Sequence, residues 1–107
     1  MATSNSNGSQ TAVITTEHTL ATITTDGSFV IGIDAANMTL GDELIIRVKL
    51  KVRSVGTTRL AYEATYAHVQ NEPVILSIPV ASTNEIVFTL EQTTGTGRVF
   101  PWEIWGL

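Results

Sequence analysis

The 107-residue sequence contains no cysteine, which removes disulfides and thiolate metal sites at once and fits manufacture in a reducing cytoplasm. Long apolar runs are missing as well. None approaches the roughly 20 residues that cross a bilayer as a helix, so no membrane partner is expected. The opening Met1-Ala2-Thr3-Ser4 lacks the basic and apolar regions of a secretory signal and is not read as one. Positive charge is scarce and unevenly placed. Residues 1–46 carry Glu17, Asp26, Asp34, Asp42 and Glu43 with no Lys or Arg, whereas residues 47–107 carry all six basic residues beside five acids. The resulting net charge of −4 opposes non-specific binding to nucleic acid, whose phosphates need cations. Its polarity suits a subunit whose two halves meet different neighbours, although a sample this small can produce it by chance.

What the chain has in quantity is Thr, Val and Ile, about a third of all residues. These side chains lose rotamer freedom in helices and pack well on pleated surfaces. No segment shows a 3.6-residue apolar period, and several alternate with period two. Glu43–Arg53 does so most clearly: Leu44, Ile46, Val48, Leu50 and Val52 face one way, and Ile45, Arg47, Lys49, Lys51 and Arg53 the other. Further strands are read at Thr11–Thr16, Thr19–Thr24, Phe29–Ile33, Thr58–His68, Val74–Val80 (interrupted by Pro79), Glu85–Gln92 and Val99–Leu107. A helical turn is expected at Ala35–Met38. Eight strands at this spacing predict one all-β domain over residues 11–107, an antiparallel β-sandwich of jelly-roll type, with a closed barrel as the alternative. Residues 1–10 (MATSNSNGSQ) carry nothing to bury and read as a polar N-terminal arm, ordered only by a surface outside its own core.

The residues that would carry chemistry do not gather into known patterns. Neither His18 nor His68 has a metal-ligand spacing; His18 reads as solvated in a turn and His68 as a partly buried structural residue. Thr94-Gly95-Thr96-Gly97 is glycine-rich, but no helix follows to receive a phosphate, so it reads as a loop. Asp42 and Glu43 are adjacent on a strand, point to opposite faces, and make a poor chelate or acid–base pair. No catalytic, cofactor or metal residue is therefore nominated, and no enzyme is expected.

Two features stand out as candidate interface. Period-two spacing places Arg47, Lys49, Lys51 and Arg53 in one row, roughly 7 Å apart along the strand. The row reads either as a solvated face paired with Glu63, Glu85, Glu91 or Glu103, or as a seam against an acidic partner such as the acid-rich half of a neighbouring copy. The second feature is the C-terminal strand, where Phe100, Trp102 and Ile104 share one face while Trp105 and Leu107 take the other. A strand apolar on both faces needs cover on both. Trp102, Trp105 and Leu107 are accordingly expected at a subunit interface, with packing inside the monomer or a carbohydrate platform on Trp105 as alternatives.

Arg59–Pro73 (RLAYEATYAHVQNEP) and Leu90–Leu107 (LEQTTGTGRVFPWEIWGL), with the run T-G-T-G-R-x-F-P-W over Thr94–Trp102, resemble segments of small structural proteins of tailed bacteriophages. The resemblance spans roughly residues 12–107 and brings no catalytic residue with it. It implies a virion component made in the host cytoplasm. The form it favours is a capsid decoration, or cement, protein on the outer shell, self-associated (trimers are common) and bound to the major capsid protein or another virion protein. A tail, neck or fibre-associated part is the alternative, and a carbohydrate-binding module for host recognition a further one.

Overall fold

The computed structural model describes residues 2–107, of which nine strands and no helix make up the regular structure. The strands are β1 (Thr3–Thr11), β2 (Glu17–Ile23), β3 (Gly27–Asp34), β4 (Glu43–Lys51), β5 (Arg59–Ala67), β6 (Val74–Leu76), β7 (Val80–Ser82), β8 (Glu85–Thr94) and β9 (Val99–Gly106). They form two packed antiparallel sheets. Sheet A has the order β1-β9-β3-β6, with β7 also paired to β3, and sheet B the order β2-β8-β4-β5. Successive strands step between the sheets except at β4–β5 and β6–β7, and the interleaved orders β1-β9-β3-β6 and β2-β8-β4-β5 are those of a jelly roll. Two separate sheets with free edges replace the barrel alternative. No helix among the described residues is long and apolar enough to cross a membrane.

Period two builds the core. Leu44, Ile46 and Val48 of β4 are buried, and so are Ile86, Phe88 and Leu90 of β8. Across the gap, Phe29, Ile31 and Ile33 of β3 and Phe100 and Ile104 of β9 close against them. Pro79, which has no N–H to give a ladder, divides the expected Val74–Val80 strand into β6 and β7, both paired to β3.

Three sequence expectations are corrected. The N-terminal segment is no free arm: Thr3–Thr11 pairs along the length of β9, Thr3 opposite Gly106 and Thr11 opposite Val99, with a bulge between Ser4 and Ser6. Met1 of that arm lies outside the described residues. Nothing in the segment needs burial, because its ordering comes from the ladder that β9 offers. Gly8 also lets the Trp102 ring come close; a Cβ there would sit 3.2 Å from the indole. The expected strand at Thr11–Thr16 is instead mostly a turn, with Thr15 at positive φ. The expected helical turn at Ala35–Met38 is a hydrogen-bonded turn, Met38 N–H donating to the Ala35 carbonyl at 3.1 Å, and no helix follows.

Candidate interaction surface

The outer face of sheet A is the apolar one. On β9, Trp105 points away from the core and stands opposite Val30 of β3. Its six-membered ring occupies the space above Gly32 that any side chain would need: a Cβ on Gly32 would overlap ring carbons Cη2 and Cζ3 of Trp105 and lie 3.3 Å from Leu76 Cδ2. Trp105 and Leu76 therefore meet over a glycine. Around them run Val74 (63% exposed), Leu76 (55%) and, at the end of the chain, Leu107 (60%). Beside Trp105 a groove of about 370 Å³ is lined by Asp34, Val74, Pro101, Glu103 and neighbouring atoms of Gly32 and Trp102. Its charged groups are both acids. Glu103 has no hydrogen-bond or ion-pair partner among the described residues, and Asp34 accepts only the Ala36 N–H, at 3.0 Å.

Trp102 parts company with Trp105, as their odd spacing predicted. It packs half-buried against the core on the inward side. Of the three C-terminal residues proposed for an interface, Trp105 and Leu107 are at the surface, and Trp102 serves the fold.

The basic row separates into two pairs of residues. Arg47 is surrounded by carboxylates: Glu63 at 2.8 Å, Glu91 at 2.9 Å and Glu17 at 3.4 Å. Lys49 meets Glu17 at 3.0 Å. Hydrogen bonds to Glu91 and Glu63 raise the Arg47 guanidinium above its already high ordinary pKa. Glu17 is held below the usual carboxylate range, chiefly by the Thr89 hydroxyl that donates to it at 2.6 Å and then by Lys49. These two cations are neutralised by their own sheet. Glu103, named above as one of the row's acids, lies in the opposite sheet, and the Glu85 carboxylate accepts the Thr58 hydroxyl at 2.6 Å. Lys51 ends β4 and Arg53 lies beyond it, in the turn to β5. With Arg59 they have no ion-pair partner among the described residues. That turn also exposes Val52 (79%) and Val55 (83%).

A third cluster, at the end of the sandwich where β8 turns into β9, went unseen in the sequence. Asp42 is 1% exposed. Its carboxylate accepts Arg98 Nε–H at 2.8 Å, the Thr39 N–H at 2.9 Å and the Thr96 N–H at 3.3 Å. Burial pushes this carboxyl up, but the Thr39 amide and the Arg98 guanidinium outweigh it, and the net shift is downward. Gln92, fully buried, accepts the Arg98 N–H and donates to the carbonyls of Thr94 and Thr96. Gly95 adopts φ +91°, and a Cβ there would overlap Asp42 Oδ1. The T-G-T-G-R run is thus a loop latched onto Asp42. Gln92 had a visible signal: it continues the inward series Ile86, Phe88, Leu90 with a polar group, which only an internal partner set can tolerate.

The histidines are structural acceptors. His18 lies in β2, half-buried, and its Nε2 accepts the Val13 N–H at 3.0 Å. His68, at φ +65°, is exposed rather than partly buried, and its Nδ1 accepts the Gly41 N–H at 2.9 Å. Among the described residues no three His, Cys, Asp or Glu side chains gather closely enough to hold a metal ion.

No protein-family model matches the chain, and comparisons with curated proteins and with solved structures return no match.

Proposed function

We propose that this protein is a non-catalytic assembly subunit that docks on another protein surface through the outer face of sheet A. The observation that carries the reading is the position of Trp105, set over Gly32 and flanked by exposed Leu76 and Val74. A side chain of this size usually contributes to stability by burial. Here it is spent on the side of the sheet that has no second layer. Covering such a face supplies affinity at about 25 cal/mol per Å² before the costs of association.

The resemblance of residues 12–107 to phage structural proteins supports a virion component, and the form we favour is a decoration protein on the capsid exterior. Repeated attachment to a lattice would multiply weak single contacts there. Imaging of purified particles, with and without the gene, tests this. Density on the shell exterior that disappears on deletion is expected. Particles that never contain the protein overturn the virion role, and density confined to the tail moves it to the tail-associated alternative. A partly exposed indole beside Glu103, whose carboxylate has no partner among the described residues, also favours a carbohydrate platform as a second reading. A glycan array on which Trp105→Ala changes nothing removes that one.

A further inference from the structure

We infer that the occupant of the Trp105 groove is a second copy of this chain, inserted by the tip of its β4–β5 turn. The inference rests on the docking reading above and assigns both halves of the contact. The tip has an unusual composition for a solvent-facing turn, with Val52 and Val55 exposed by 79% and 83%. It is also held in shape. The Gly56 N–H donates to the Arg53 carbonyl at 2.9 Å, and the Asn84 side-chain amide donates to the Val52 carbonyl at 3.0 Å. A fixed apolar knob loses little entropy on docking.

Charge selects the partner. The charged groups at the tip are Lys51, Arg53 and Arg59, with no ion pair among the described residues, and Glu85, whose carboxylate accepts the Thr58 hydroxyl, so the tip stays net positive. Those at the groove are Asp34 and Glu103. Two grooves placed face to face would bring acid against acid, whereas tip in groove brings base against acid around an apolar centre. Topology prevents a chain from filling its own groove. The tip leaves the sandwich beside Gly27 and Ser82, where β3 begins, and the groove lies at Gly32–Asp34, where β3 ends, on a molecule 41 Å long. The contact joins two different patches and is therefore heterologous, generating a ring if the rotation closes and a filament if it does not. Of the four-residue basic row only Lys51 and Arg53 take part, and the groove acids come from both halves of the chain, Asp34 from the first and Glu103 from the second.

The test is complementation between surface variants. Val52→Asp with Val55→Asp spoils the tip, and Leu76→Asp with Glu103→Lys spoils the groove; Val74→Asp replaces Leu76→Asp if the circular dichroism of that variant departs from wild type. In sedimentation velocity over a concentration series, wild type should self-associate, and less as salt rises. Each variant alone should lose association, and an equimolar mixture should restore a species of two chains and no larger. A mixture that stays monomeric while wild type associates rules out the tip and leaves the groove as a docking surface. Variants that associate as wild type does remove both. A wild type that is monomeric throughout overturns self-docking, and the virion imaging then decides separately whether the docking reading survives.

Discussion

Replacing Arg98 with Met isolates the latch between Asp42 and the β8–β9 loop. The methionine keeps much of the aliphatic stem and removes two contacts, Nε–H to Asp42 Oδ2 at 2.8 Å and Nη2–H to Thr39 Oγ1 at 2.8 Å. Asp42, 1% exposed with Arg98 in place, is then left with the Thr39 and Thr96 amides and the more distant Thr39 hydroxyl, at 3.5 Å, as donors. Breaking a buried ion pair by removing one partner costs about 3–5 kcal/mol. The Arg98 side chain is 28% exposed, so water can reach the vacated side, and the expected loss falls to about 2–3 kcal/mol. For a chain of this size that is roughly a 10 °C drop in melting temperature. Thermal and urea unfolding followed by circular dichroism at neutral pH measures it. The cycle with Asp42→Asn should give a coupling energy above about 1 kcal/mol, because the two side chains share one network. A loss below about 0.5 kcal/mol for Arg98→Met, or additive effects in the double variant, would refute the latch as the element that fixes the T-G-T-G-R loop.

Acid should weaken the fold by a related route. Glu17 and Asp42 both titrate below the ordinary carboxylate range, so the unfolded chain takes up their protons first as the pH falls. Their contribution is complete above the unfolded pKa of about 4 and is lost below it. Urea midpoints should therefore decline below about pH 4, less steeply in Asp42→Asn, and a midpoint unchanged across that range contradicts the assignment. Two glycines make an internal control. Gly41 and Gly95 both have strongly positive φ, but a Cβ meets nothing at Gly41 and overlaps Asp42 Oδ1 at Gly95. Gly41→Ala should cost about 1 kcal/mol of backbone strain, and Gly95→Ala at least about 1 kcal/mol more; equal losses in urea unfolding contradict the packing.

The sequence made visible what local pattern encodes. The alternation in β4, the inward Ile86, Phe88 and Leu90, and the opposed faces of Trp102 and Trp105 all follow from a period of two, and the jelly roll follows from their spacing. What stayed hidden depends on partners distant in the chain. Thr3–Thr11 has the composition of a disordered segment and becomes a strand because β9, some ninety residues later, presents an unpaired edge. Asp42 and Arg98 are 56 residues apart and join only through the sandwich topology. For the basic row the sequence offered Glu63 and Glu91, which do meet Arg47, but not Glu17, whose approach from β2 to Arg47 and Lys49 cannot be read from β4 alone. The groove needed a glycine beneath an indole, and the sequence does not show that Gly32 and Trp105 are neighbours.

The account depends most on whether the outer face of sheet A is covered when the protein works. Fluorescence quenching by acrylamide reports this directly in a Trp102→Phe background, where Trp105 is the only tryptophan. In the dilute chain Trp105 should be readily quenched, and in the assembled state, on particles or at associating concentration, quenching should fall severalfold. Equal quenching in a sample shown to be assembled would mean that the face stays open, and would contradict the account.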